Sequence, residues 1–511
     1  MGSLRARLSH TPPGYRFSIG RILAIYAALM AALLLAALDQ TIVATALPQI
    51  VSELGGLTSY TWVITAYLLA TTVTVPLYGK LGDIYGRRPL FLAAISIFVV
   101  GSALCGIAQS MIQLVVFRGI QGIGAGGLFP LALATIGSIV PPRDRGRYQG
   151  LIGATFAAAS IIGPTLGGFL TDHASWRWIF YVNLPVGVAA LAIVYLAMPK
   201  RSARRDHSVD YLGAAVLAAG TGALMLGLVW GGREYAWSSA HVLGALAAAG
   251  ALFGLFAYIE RRVAEPILPF DLLRDRIVAS GVVSMSLVAM AMLGTIAFVP
   301  LFAQGVIGTS ATASGVVLTP FMLAAVLSSF VAGQWVSRSG RYKPNALVGP
   351  IVLGFALVLL ARMGVHTTKG EAARNAVVAG VGVGLMMQVF VIAVQNAVPQ
   401  RAIGSATALI QFARTIGGTL GVTLMGVIVS ARLPEGAIPE EASVRRLAPA
   451  ARAELASALH PAFYAAAGLC LAVLVIVALG MKEVPLRRTF DEAPLPDQLG
   501  AGAGGSRAAA R

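Results

Sequence analysis

The stretch GKLGDIYGRRP, Gly79–Pro89, joins two apolar runs and recurs in weaker form as GQWVSRSGRYK, Gly333–Lys343. Gly79/Gly333, Gly86/Gly340 and Arg87/Arg341 match at an offset of 254 residues. The same offset aligns GPTLGG (Gly163–Gly168) with GGTLGV (Gly417–Val422), and VPPRDRG resembles VPQRAIG after a slip of four residues. A period this long is a duplicated half rather than a small repeat. About eight apolar runs fit inside one period at membrane-spanning length.

Those runs set the class. The chain is 57% hydrophobic and 12% charged, with mean hydropathy +0.79, whereas a soluble chain is about 25% charged. Fourteen runs, from near 22–47 to near 461–481, each fit a bilayer crossing. The expected fold is an all-α polytopic membrane protein of two six-helix bundles plus two inserted helices. Its segments are an N-tail 1–21, a bundle 22–198, a two-helix insertion with flanking loops 199–276, a bundle 277–481 and a C-tail 482–511. Two such halves in one chain are a transporter architecture, with the site between them near the midplane. The first run follows Arg5, Arg7, Arg16 and Arg21, as a signal h-region would. It is longer than the about 7–15 residues of such a region and contains Asp39, so it reads as an uncleaved first helix.

The formal net charge is +17. The basic residues are dispersed: 27 of 38 Lys and Arg fall in the two tails and alternate loops, and nine in the opposite loops. This alternation follows the positive-inside rule and predicts both termini in the cytoplasm. It also excludes a nucleic-acid-binding domain. Cys105 and Cys470 lie in apolar runs and read as small buried hydrophobes. No metal-ligand cluster, nucleophile elbow or Walker A sequence occurs, so no catalytic residue, metal or cofactor is expected. The outer segment RLPEGAIPEEASVRRLAPAARAELASALH (Arg432–His460) reads as an amphipathic surface loop, with a short helical hairpin as the alternative.

Charged residues inside the runs carry the functional argument. In LLLAALDQTIVATALPQI (Leu33–Ile50), Asp39 is the one acid of 21 expected deep in the bilayer, at a cost of roughly 2.5–3.5 kcal/mol. Two arginines, Arg118 and Arg414, are expected at similar depth facing it. Burial favours the neutral acid and a nearby guanidinium favours the carboxylate. A conformational change altering either would load or release a proton. In LVVFRGIQGIGAGG the spacing of Gly122, Gly124 and Gly127 imitates a dinucleotide fingerprint. No strand precedes it, so it reads as close helix packing.

The motifs together resemble the major facilitator superfamily, in its fourteen-helix drug–proton antiporter branch. GKLGDIYGRRP resembles the signature loop of that superfamily. LVVFRGIQGIGAGG resembles its helix-4 motif, with Leu114, Arg118, Gln121, Gly122 and Gly124 in place. GLIGATFAAASIIGPTLGG resembles the antiporter motif through Gly150, Gly163, Pro164, Gly167 and Gly168, with Ala159 replacing one glycine. LDQTIVATALP resembles the helix-1 motif of drug–proton antiporters, with Ala44 and Thr45 departing from it; WRWIFYVNLPVG and FARTIGGTLG resemble the same branch.

The resemblance implies a gating loop of Gly79, Asp83, Gly86, Arg87 and Arg88, with Asp83 the anion of a cytoplasmic latch and Arg87 its partner. The degraded second copy, with Ser337 at the position of Asp83, implies a weaker latch there. It implies proton coupling through Asp39 and Arg118, and export rather than import from Gly163, Pro164, Gly167 and Gly168. Arg414 and Gln121 are the candidate substrate-cavity residues. The expected activity is proton-coupled export of drugs or other amphipathic small molecules. The energy comes from the proton gradient, and the partners are substrate, protons and the lipid bilayer. A single carboxyl favours monovalent cations or neutral amphiphiles over dications. The alternative is export of an endogenous lipid, siderophore or secondary metabolite, held as an anion by Arg414; a membrane-embedded sensor or enzyme is a third reading. The expected setting is a bacterial inner membrane, in keeping with 33 Arg against 5 Lys, and the expected unit is a monomer.

Overall fold

The computed structural model describes residues 17–54, 60–142, 144–198, 210–232, 234–263, 266–268, 270–309, 311–432 and 448–486. Fourteen long helices run through them. The first six are α1 (Ile19–Leu54), α2 (Tyr60–Ile84), α3 (Arg87–Gly106), α4 (Met111–Ile139), α5 (Arg145–His173) and α6 (Asn183–Ala197), the last entered through a helical turn at Trp178–Tyr181. Two more, α7 (Tyr211–Trp230) and α8 (Ala240–Glu260), precede α9 (Arg276–Gly305), α10 (Ala311–Ser339), α11 (Lys343–Ala361), α12 (Lys369–Ala397), α13 (Ile403–Ser430) and α14 (Pro449–Gly480). Thirteen of these spans are long and apolar enough to cross a membrane, and α5 has 29 residues. Among the described residues there is no strand, only one isolated bridge between Gly231 and Tyr235.

Helix is the form that satisfies every backbone group within one segment, which an apolar surrounding demands. Local signals mark the starts. Ser110, Asp210, Ser239 and Asp275 accept hydrogen bonds from the first-turn amides of α4, α7, α8 and α9, and Thr368 with Glu371 forms a capping box on α12.

The packing is duplicated. In the first bundle α2 packs on α4, α3 on α4, α1 on α5, α1 on α6 and α3 on α6; in the second the same pairs recur as α10–α12, α11–α12, α9–α13, α9–α14 and α11–α14. Small residues hold these contacts. A Cβ on Gly122 or Gly126 would strike the backbone of α2 at Tyr67 and Thr71, and one on Gly124 the backbone of α3 at Phe98. Gly380, Gly384 and Gly382 meet α10 at Phe321 and Ala325, and α11 at Leu353, in the same way. Gly122, Gly124, Gly126 and Gly127 of LVVFRGIQGIGAGG are therefore packing residues. Helices α7 and α8 pack on each other and touch the bundles through α2 and α13.

Two details depart from the expected spans. Helix α2 continues to Ile84, so most of GKLGDIYGRRP is helical and the connection to α3 is Tyr85 and Gly86 alone. Gly86 turns the chain at φ 87°, and its repeat counterpart Gly340 does so at φ 73°, a region open to glycine. Helix α14 begins at Pro449, so the last part of the supposed surface loop Arg432–His460 is helix; residues 433–447 lie outside the described residues. The reason is an apolar face that buries Leu455, Ala456, Ala458 and Leu459, which Arg452 and Glu454 just before them disguise in the sequence. The helix continues through Pro461.

Candidate proton-coupling and substrate site

Asp39 and Arg118 meet in a closed polar cluster between α1 and α4. Arg118 Nη1 donates to Asp39 Oδ2 at 2.7 Å and to Gln121 Oε1 at 2.7 Å. Gln121 Nε2 donates to Asp39 Oδ1 at 2.9 Å, and Asn183 Nδ2 to the same oxygen at 3.4 Å. Asn183 also donates to Ser102 Oγ at 3.1 Å, which donates to the Phe180 carbonyl at 2.8 Å. Arg118 Nε reaches the Val63 carbonyl at 3.3 Å, and the guanidinium lies 4.1 Å from the Tyr67 ring centroid. Asp39 is 0% exposed and Arg118 2%. Both charges are thus withdrawn from solvent and paired, as an intramembrane acid and base must be.

Backbone approach makes the cluster possible. Gly101 lets α3 come against the backbone of Gln121. Gly163 of the antiporter motif faces Thr41, two residues beyond Asp39, and Thr41 Oγ1 donates to the Ala159 carbonyl of α5 at 3.1 Å. Gly168 has open space where a Cβ would go; Pro164 lies within α5; Gly167 accepts from Thr171 at 2.6 Å. The cluster is not duplicated at the matching positions: the offset of 254 sets Leu293 against Asp39, and the four-residue slip that pairs Gly122 with Gly380 sets Ala376 and Ala379 against Arg118 and Gln121.

The basic-loop end of the bundle, which bears Arg87, Arg145 and Arg341, is where the halves close on each other. Asp83 Oδ1 accepts from Gly404 N at 3.0 Å; Asp83 Oδ2 accepts from Ser405 N at 2.7 Å and Ser405 Oγ at 3.0 Å. A carboxylate of the first half thereby caps the start of α13 in the second. Arg87 Nη2 lies 3.4 Å from Asp83. Gly79 packs on Gly404 and Ala408, and its repeat counterpart Gly333 packs backbone to backbone on Gly146. Nearby, Gln149 Nε2 donates to Gln395 Oε1 at 3.0 Å, and Gln395 Nε2 to Thr407 at 2.9 Å and to the Leu133 carbonyl at 3.3 Å. At the opposite end Glu53 pairs with Arg177 and accepts from Trp176 Nε1 at 2.7 Å. The Arg177 guanidinium holds the Glu53 carboxyl below the usual carboxylate range.

Three expected placements change. Gln121 belongs to the Asp39 cluster: it is 0% exposed with its amide turned to the carboxylate. Arg414 does not face Asp39. It lies over the Phe129 ring at 4.4 Å, and Phe129 is about 16 Å from Arg118 along α4. Arg88 leaves the gate for its own bundle, donating to the Tyr195 carbonyl at 2.6 Å and stacking on that ring. Asn183 and Ser102 are cluster members that the sequence reading missed. Asn183 stands in WRWIFYVNLPVG, and its signal was a lone amide inside an apolar run.

A family model described as Major Facilitator Superfamily matches residues 29–422. The chain belongs to the major facilitator superfamily. Among its relatives is an uncharacterized transporter of this type from Mycobacterium tuberculosis (strain H37Rv), 40% identical over 502 residues, covering 95% of this chain and 72% of the relative. Multidrug transporter protein MdtP of Bacillus subtilis is 39% identical over 406 residues, 79% of this chain and 74% of MdtP. The superfamily's proton:xylose symporter XylE has the same fold at TM-score 0.65 and 12% identity, covering 92% of this chain and 97% of that one. The protein is a multi-pass membrane transporter of small molecules and not an enzyme.

Proposed function

We propose that this major facilitator protein is a proton-coupled exporter of drugs or other amphipathic small molecules, working by alternating access as a monomer in a bacterial inner membrane. The observation that carries the reading is the sealed Asp39–Arg118–Gln121 cluster. It places one carboxyl inside the membrane with a guanidinium 2.7 Å away. When rocking of the halves draws Arg118 back, the stranded carboxylate is favoured neutral and takes a proton; when Arg118 returns, the proton leaves. A proton crossing 100 mV releases about 2.3 kcal/mol, which needs no bound cofactor to deliver. With both termini in the cytoplasm, the Asp83 cap on α13 and the Gly79 and Gly333 crossings form a closed cytoplasmic gate, so the conformation is one shut toward the cell. The naming of MdtP as a multidrug transporter supports the substrate class. A second reading, export of an endogenous lipid, siderophore or secondary metabolite, is favoured by Arg414, an intramembrane cation unpaired with Asp39.

The test is transport into proteoliposomes with an acidic lumen. Asp39→Asn should abolish uphill movement while leaving downhill exchange, and Arg118→Ala should also fail because the acid stays protonated. Full uphill transport by Asp39→Asn refutes the coupling.

A further inference from the structure

The two intramembrane guanidiniums stand in opposite conditions. Arg118 is spent on Asp39, Gln121 and a carbonyl, and Asp39 in turn is 0% exposed with both oxygens occupied. A cationic substrate reaching Asp39 would have to dismantle that cluster. Arg414, on α13, is half-buried; among the described residues it has no ion-pair partner, and its buried Nε makes no hydrogen bond. One side of its guanidinium is covered by the ring of Phe129, from α4 of the other half, at 4.4 Å. Gln411 lies one helical turn earlier on the same side of α13. It is 3% exposed, and its side-chain carbonyl oxygen has no hydrogen-bond partner. An unpaired cation inside a membrane, an aromatic wall across the interface between halves, and a buried amide with unused capacity converge on one kind of guest.

We infer that Arg414, Phe129 and Gln411 form a subsite for an organic monoanion with a flat aromatic body, a carboxylate or sulfonate being the group the guanidinium receives. The inference rests on the exporter reading and narrows its substrate. A planar guanidinium presents paired N–H donors that match two oxygens of such a group. The Phe129 ring offers a stacking face to the rest of the molecule. The subsite lies between α4 and α13, which belong to different halves, so rocking of the halves opens or collapses it. It also lies apart from Asp39, so anion and proton need not compete for one group. Outward movement of an anion against an inward proton moves two charges per cycle in the same electrical sense, against one for a neutral substrate.

The probes are naphthalene-1-sulfonate, its neutral sulfonamide, and the trimethyl-1-naphthylammonium cation. Each is followed by uptake into acidic-lumen proteoliposomes and by the rise in Tm on binding to purified protein. The wild type should concentrate the sulfonate best, with a steeper voltage dependence than the sulfonamide. Arg414→Gln should weaken the sulfonate about 10-fold or more and the sulfonamide less than about 2-fold. Arg414→Lys should recover part of the loss, and Phe129→Leu should weaken both. Equal weakening of sulfonate and sulfonamide by Arg414→Gln, or preference for the cation unaffected by it, overturns the subsite. If the sulfonate raises Tm through Arg414 but nothing is moved under any gradient, the subsite stands and the exporter reading falls. If the cation is pumped and the sulfonate neither binds nor moves, the exporter reading stands and the subsite falls.

Discussion

At the residue scale the unit is a charge and the group that answers it. Asp39 and Arg118 are each tolerable only because of the other, since removing one partner of a buried pair leaves an uncompensated charge worth roughly 3–5 kcal/mol. Asp39→Asn strands a guanidinium that cannot lose its proton. Arg118→Gln strands a carboxylate, which a proton can neutralise. Asp39→Asn should therefore lower the melting temperature of purified protein more than Arg118→Gln. The double variant Asp39→Asn/Arg118→Gln should be more stable than Asp39→Asn alone, giving a favourable coupling in the cycle. Additive losses would show that the pair is not a thermodynamic unit. Asn183 adds a point about what sequence can disclose. An amide in an apolar run signals a polar partner, but its nearest partners, Ser102 and Asp39, are 81 and 144 residues away.

At the element scale the decisive object is the start of α13. Its first amides have no intrahelical acceptors, and Asp83 of α2 supplies one from the other half. Gly404 makes room: a Cβ there would lie 2.2 Å from Asp83 Oδ1. Charge-assisted hydrogen bonds of this kind contribute about 1.5–3 kcal/mol, which moves a two-state equilibrium roughly 10- to 150-fold. Asp83→Asn and Gly404→Ala should both cut transport and leave substrate affinity largely intact. Cross-linking of cysteines placed across the α2–α13 crossing should fall in both. Normal transport with normal expression in either variant removes the latch role from this contact. The second copy of the loop uses a different device. Ser337 stands where Asp83 does, and the helix that follows, α11, has its own cap: Glu483, from the segment after α14, accepts from Tyr342 N at 3.1 Å and Lys343 N at 3.2 Å. The loop repeat was visible in the sequence. Its asymmetry in acid was visible as well, but not the Glu483 cap at the start of α11.

At the scale of the whole molecule, the two bundles repeat each other's contacts, while among the described residues the fully buried ion pair, Asp39–Arg118, lies in the first. In the proposed mechanism one half supplies the proton site and the interface between halves the gate, and the same interface holds the contact of Arg414 with Phe129. Sidedness decides how that machine is read. Single cysteines at Ser238, in the α7–α8 connection, and Ser339, at the end of α10, should react with an impermeant thiol reagent from the outside and the inside of the cell respectively. Same-side labelling would sink the orientation drawn from the loop charges.

The chain by itself determined the number of helices, their duplication and the identity of the intramembrane charges. These are local or periodic properties: apolar length sets a crossing, a glycine at a turn sets a positive φ, and an acid in an apolar run announces a cost that something must offset. Tertiary structure alone decided which groups offset which costs. Two arginines at comparable hydropathy were equal candidates for Asp39. The fold placed one at 2.7 Å from it and put the other over Phe129. Gln121 and Arg88 were assigned by motif to a cavity and a gate, and the packing of α3 on α4 and of α3 on α6 redirected both. Helix periodicity says which face a side chain occupies, but not which neighbour fills that face. That depends on where glycines allow two backbones to close, and the closure is settled only when all the helices are packed together.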